Sequence, residues 1–243
     1  MGVSNPFARP PTPGVLRRLV SCRACPRLVA WRERQAQLVP PRYLGWVAEH
    51  GFWGRPVPAF GDRFAWLVIV GLAPAAQGAN RTGRMFTGDR SGDFLYAALH
   101  RAGLASAPRS EHRHDGLSLV GVLITAPLRC APPRNRPTAA ELARCRVYLR
   151  ANLAGCRSLR VVLALGRVAH DSVLSLLRRQ GAPVPRGIRF AHGAFWRLPG
   201  GVFLVDSYHV SQQNTFTGRL TPAMFDRVLA RCRALAFETE EGR

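Results

Sequence analysis

Apolar residues fall along this chain in a few short unbroken runs set between stretches of helical period. Trp66–Val70 is continuous and β-rich, and Gly71 stops it, which predicts a buried strand. Leu117–Thr125, Arg160–Leu165 and Gly201–Val205 repeat the signal. Between them, Ser91–Gly103 places Phe94, Leu95, Ala98 and Leu99 on one helical face, with Ser91 as the expected N-cap. Thr138 opens a helix to about Leu153, and Glu141 three residues on completes a capping box. A further helix follows Gly166 to about Arg179, and Thr221-Pro222 opens the last one. From Gly14 to about Leu38 the period is helical but broken at Pro26, and residues 39–65, dense in Pro, Gly and aromatics, read as irregular loop. No internal repeat is visible.

Strands alternating with helices predict an α/β fold whose sheet is mostly parallel and covered on both faces. One domain, 14–237, is expected between a flexible N-terminal tail (1–13) and a C-terminal tail (238–243). In such folds ligands bind just past the carboxyl ends of strands. That rule singles out three loops: Gly71–Asp89, Ala126–Thr138 and the stretch from Asp206 to Thr221, each more polar or richer in Gly and Pro than the strand before it.

Composition changes the picture in one respect. The chain of 243 residues carries 35 basic against 14 acidic residues, a net charge of +21, and every base is arginine. A GC-rich genome explains arginine over lysine but not the excess of bases over acids. So basic a chain is expected to bind a polyanion, first of all nucleic acid. No apolar run approaches a membrane span, and the Pro-rich start lacks the apolar core of a secretory signal, so a cytoplasmic, nucleoid-associated monomer is expected. Six cysteines stand at 22, 25, 130, 145, 156 and 232. Cys22 and Cys25 have metal-ligand spacing; with Cys130 and Cys145 they could hold zinc or an iron–sulfur cluster, and the wide second pair favours a 4Fe–4S cluster. Cys156 and Cys232 fall on helix faces and read as buried small hydrophobes.

Three blocks carry a resemblance. They are Gly71-Leu72-Ala73-Pro74 through Phe86-Thr87-Gly88-Asp89; Arg129-Cys130 through Asn135 to Thr138; and His209-Val210-Ser211-Gln212-Gln213-Asn214 through Arg219 to Thr221. These blocks, with the four cysteines, resemble the uracil-DNA glycosylase superfamily, family 5 (type b) above all. The resemblance implies a three-layer α/β/α sandwich with a small, mostly parallel sheet. It also implies a structural 4Fe–4S cluster on Cys22, Cys25, Cys130 and Cys145, and hydrolysis of the N-glycosidic bond of damaged bases in double-stranded or single-stranded DNA.

Cutting that bond requires a base turned out of the stack, a stabilised anionic leaving group and water attacking an oxocarbenium-like sugar. Asp89, the lone acid ending a glycine-rich loop, is suited to orient the water and offset charge on the sugar; its bland alternative is a helix N-cap. Phe86 resembles the aromatic that stacks on the base, and Gly71, Leu72 and Ala73 would bring backbone N–H groups to it. His209 suits a neutral donor to the base carbonyl. Asn135 either positions water or forms a turn. Asn80, Arg81, Thr82 and Arg84 line the first loop as candidate DNA contacts, with a solvated loop as the alternative. Ser211 could reach a phosphate, Gln212, Gln213 and Asn214 sit where the superfamily wedges into the duplex, and Arg219 is a further DNA contact. Ala126 stands where other branches carry a base-reading Asn, which implies a broad pocket admitting uracil, hypoxanthine and xanthine. The competing classes are a non-catalytic iron–sulfur DNA-binding protein and a hydrolase of free nucleosides.

Overall fold

The structure is a computed structural model describing residues 5–7 and 14–237. Six strands form one sheet: β1 (Phe60–Gly61), β2 (Leu67–Val70), β3 (Val122–Thr125), β4 (Val161–Leu165), β5 (Phe195–Arg197) and β6 (Phe203–Ser207). The order is β1-β3-β2-β4-β6-β5. β3, β2, β4 and β6 are parallel, and short antiparallel strands close each edge, Phe60 opposite Ile124 and Trp196 opposite Leu204. Among the described residues eight helices accompany it: α1 (Pro26–Arg34), α2 (Leu44–His50), α3 (Ala79–Thr82), α4 (Arg90–Arg101), α5 (Ala139–Gly155), α6 (Arg167–Arg179), α7 (Gln212–Phe216) and α8 (Pro222–Phe237).

The period of two along the strands sorts side chains into two cores. Leu67, Ile69, Leu163 and Val205 face Leu95, Leu99, Phe225 and Val228 of α4 and α8. Val68, Val70, Val162 and Leu204 face Leu149 and Leu153 of α5 and Val173 and Leu177 of α6. The result is the expected three-layer α/β/α arrangement. β2 and β4 are buried along their whole length, which is why they read as unbroken apolar runs rather than alternating ones.

Several boundaries differ from expectation. Pro26 starts a helix at its first position instead of breaking one. Residues 39–65 hold a 3-10 turn, α2 and β1. Only Val122–Thr125 of the predicted Leu117–Thr125 strand is strand, and the last parallel strand runs on to Ser207, so Asp206 and Ser207 are buried sheet residues. The two edge strands are too short to leave a periodic signal. Residues 5–7 of the expected N-terminal tail are docked: Phe7 is buried, and the Asn5 amide donates to the Leu153 and Cys156 carbonyls at the end of α5. The remaining tail residues, 1–4, 8–13 and 238–243, lie outside the described residues. Among the described residues, no helix is long and apolar enough to cross a membrane.

Candidate active site and cysteine-lined cavity

The ends of the central parallel strands assemble the site. Gly71 follows β2, and its N–H is spent on the Thr125 carbonyl at 2.9 Å, so it is not free to reach a base as expected. Its part is spatial: a Cβ there would lie 2.7 Å from Cζ of Phe86. Phe86 itself has φ 54°, a left-handed conformation unusual for a bulky residue, and its ring lies half-buried above the strand end. Leu72 and Ala73 follow Gly71 on a half-buried bend.

His209 comes two residues after β6 and packs beside the end of β4, its Cβ 3.5 Å from where Gly166 would carry one. The His209 and Phe86 ring centroids are 6.0 Å apart, with the planes tilted by 31°. Two residues 123 positions apart in sequence thus stand side by side over adjacent strands. Burial holds the His209 imidazole down to about 4, so it is neutral at physiological pH and can donate one N–H. Its carbonyl accepts from the Asn214 amide at 2.7 Å. Asn214, half-buried, thus ties down the His209 loop; Gln212 and Gln213 of α7 are exposed, and Ser211 is half-buried at its start. The Arg219 guanidinium is exposed and lies 4.5 Å over the Tyr208 ring, which stacks on His192.

Asp89 caps α4: its Oδ1 accepts from the Gly92 N–H at 3.1 Å. Ser91, the expected cap, is displaced, because α4 begins at Arg90. The other oxygen, Oδ2, abuts Gly78, where a Cβ would lie 2.1 Å away. Burial raises the carboxyl above its ordinary value, and Asp93 adds to this. The Gly92 and Ser91 N–H groups and the Arg81 cation oppose it.

The first loop is not a solvated one. Asn80, Arg81, Thr82 and Arg84 are all buried, against their reading as candidate DNA contacts. The Asn80 amide donates to the Arg32 carbonyl at 3.1 Å. Arg81 donates to the Gln77 and Gly88 carbonyls. Arg84 pairs with Asp115 at 2.7 Å. Asn135 is exposed in a 3-10 turn with φ 55°, the turn geometry that asparagine tolerates best after glycine.

Below this loop, Cys22, Cys25, Cys130 and Cys145 all line one cavity, closed by Leu19, Leu28, Leu128 and Tyr148. All four cysteines are free thiols. The elements around the cavity are locked by a bidentate ion pair from Arg27 of α1 to Glu141 of α5, at 2.8 Å for each oxygen. Glu141 also completes the predicted capping box with Thr138. Two buried arginines face the same cavity. Arg32 donates to the Cys130 sulfur at 3.0 Å. Arg129 donates to the side-chain amide oxygen Oδ1 of Asn152, and burial brings its guanidinium down to about 10. Nε of Arg32 and both Nε and Nη1 of Arg129 are buried without a hydrogen-bond partner. Among the described residues no three acid, His or Cys side chains converge as a ready metal-binding group. Arg129 stood only as the start of the second motif block, and Arg32 was not singled out. Arg32 lies seven residues after Cys25, and that helical spacing was the available signal.

An α/β/α sandwich with a glycine-rich loop after its second strand, an aromatic and a histidine over the central strands, and a helix-capping carboxylate three residues after the aromatic defines a class. The model of the uracil DNA glycosylase superfamily matches residues 58–233, and the chain belongs to that superfamily. Its relatives narrow the branch. The type-5 uracil-DNA glycosylase of Mycobacterium leprae is 53% identical over 88% of this chain and 91% of its own. That of Thermus thermophilus is 50% identical over 90% of this chain and 95% of its own. That of Pyrobaculum aerophilum is 46% identical over 89% and 90%.

Proposed function

We propose that this protein is a uracil-DNA glycosylase of the type-5 branch that removes uracil, and also hypoxanthine and xanthine, from DNA and leaves an abasic site. The observation that carries the reading is the meeting of Phe86 and His209 over the strand ends, with Asp89 three residues after Phe86 at the end of the same loop. The Phe86 ring gives the turned-out base an apolar face to stack on. His209, neutral because it is buried, donates to the base carbonyl where negative charge gathers as the bond breaks; one such donor is worth about 10² to 10³ in rate. The Asp89 carboxylate takes the proton side of the attacking water and offsets positive charge on the sugar. Hydrolysis is the only step: the chain has no lysine whose ε-amine could form a Schiff base with the sugar and nick the backbone. The wider substrate range follows from Ala126, a buried methyl that offers no amide to demand uracil's own edge.

The cysteine-lined cavity fits a 4Fe–4S cluster. Four thiolates around an iron–sulfur core carry net negative charge, which answers two buried guanidiniums that hold unpartnered N–H groups. Cys22, Cys25, Cys130 and Cys145 would hold it, and bound there it supplies a covalent tie between the approach to α1, the loop after β3, and α5.

The test is single-turnover cleavage of duplex DNA carrying one uracil opposite guanine, scored after hot alkali, with a hypoxanthine duplex in parallel and iron and visible absorbance assayed on the same protein. Strand breaks only after alkali, lost in Asp89→Ala, are expected. Breaks without alkali would refute the hydrolysis-only step, and an untouched hypoxanthine duplex would refute the wider range. No break in either duplex from protein of full iron content would favour the non-catalytic DNA-binding reading.

A further inference from the structure

α2 buries none of its residues, so core packing does not explain its place in the fold. Its N-cap Tyr43 and its Trp46 instead close on a single guanidinium. Arg81 lies 4.2 Å from the centroid of each ring and is only 2% exposed. Cation–π contacts of this kind gain strength once desolvated.

From that clamp Arg81 reaches two peptides. Nε donates to the Gln77 carbonyl at 2.8 Å and Nη2 to the Gly88 carbonyl at 3.1 Å. Gln77 precedes Gly78, the residue against Oδ2 of Asp89, and Gly88 precedes Asp89 itself. Gly88, at φ 85°, leaves the guanidinium its room, since a Cβ there would lie 2.6 Å from Nη2. Both segments that frame the carboxylate are therefore tied to one cation. The other charge acting on Asp89 is Asp93, one turn into α4, which opposes its ionisation.

We propose that Arg81, held between Tyr43 and Trp46, is a positioning residue for Asp89: it fixes the segments on either side of the carboxylate and supplies its counter-charge from the protein side. The inference rests on the catalytic reading of Asp89 above. It gives residues 39–65 a task, holding Arg81 from outside.

The experiment is a single-turnover pH profile of uracil release for wild type, Arg81→Gln, Arg81→Lys, Asp89→Asn and the double variant Arg81→Gln/Asp89→Asn. Arg81→Gln should slow release about ten- to a hundredfold and move the acid limb to higher pH. Arg81→Lys, which keeps charge but not the two-pronged grip, should leave the limb in place and restore part of the rate. In the Asp89→Asn background Arg81→Gln should cost nothing further. An unmoved limb, or losses that multiply, would overturn the proposal. Should Arg81→Gln fail to fold by circular dichroism, Tyr43→Leu/Trp46→Leu replaces it: a loss absent on the Asp89→Asn background supports the clamp, and a multiplying loss overturns it. A wild-type enzyme that releases no uracil sinks the function and the inference together, whereas an active one with uncoupled Arg81 sinks only the inference.

Discussion

The glycine-rich loop and the cysteine-lined cavity both bury arginines, and they treat them differently. Around Gly71–Asp89, Arg81 is stacked between two rings and donates to two carbonyls, and Arg84 is matched by Asp115. Around the cavity, Arg129 leaves two buried nitrogens without partners, and its amide partner Asn152 carries no charge. Leaving a buried charge uncompensated costs several kcal/mol. The loop's two cations are thus held by rings, carbonyls and a carboxylate, with Nη1 of Arg81 alone among their nitrogens buried without a partner, while the cavity's arginines face the place where the proposed anionic cluster would sit. Damage to the loop should cost rate with the fold intact; damage to the cavity should cost the fold.

The sharpest break on the loop side is Asp89→Asn, expected to slow uracil release by about 10² to 10⁴ in single-turnover kinetics. The same variant should melt no lower than wild type at neutral pH. Asparagine caps helices as well as aspartate does. Moreover, burial raises the Asp89 carboxyl, so the native fold loses stability as pH rises through that raised value. A lower melting point for the variant would show that the carboxylate is a stabilising group first.

His209→Asn should cost about 10² to 10³ in rate and should also change the acid behaviour of the fold. The native imidazole is held down to about 4, against an ordinary 6.5. Between those values the unfolded chain binds a proton that the folded chain refuses, so wild-type stability falls as pH drops through that window. Melting curves of His209→Asn should be flatter there, and identical pH slopes would refute the burial argument.

On the cavity side, Cys145→Ser should bleach the visible absorbance and lower the melting temperature by about 10 °C or more, because a group bound only by the native state is folding energy. Retained stability after removal of the iron would erase the contrast between the two regions. Smallest of all, Arg219→Ala on the exposed rim should weaken DNA binding a few-fold and reduce the salt slope of log affinity by about 1, measured by titration at several salt concentrations.

What was legible in the sequence follows from what leaves a local trace. Buried parallel strands write unbroken apolar runs, and the capping box at Thr138 writes itself in four residues. The pairing of Phe86 with His209, 123 positions apart, left no local trace and was reached through motif resemblance. The fate of Arg81 was illegible for the opposite reason: an arginine in a polar loop looks solvated, and only the fold brings Tyr43 and Trp46 against it. Asn80 misled in the same way, because an amide that binds a backbone carbonyl is indistinguishable in sequence from one that binds DNA. Ser91 lost the cap to Asp89 by a shift of two residues at the helix start, within the ordinary uncertainty of such boundaries.

The left-handed backbone of Phe86 sets a price on improvement. At φ 54° glycine would sit without strain, where a bulky side chain costs about 1 to 3 kcal/mol. Selection for heat resistance alone would therefore drift towards glycine at 86 and trade the proposed stacking face for a calmer loop. If Phe86 stacks on the base as proposed, position 86 is a place where thermal robustness and turnover pull in opposite directions, and stabilisation of this enzyme should leave it alone.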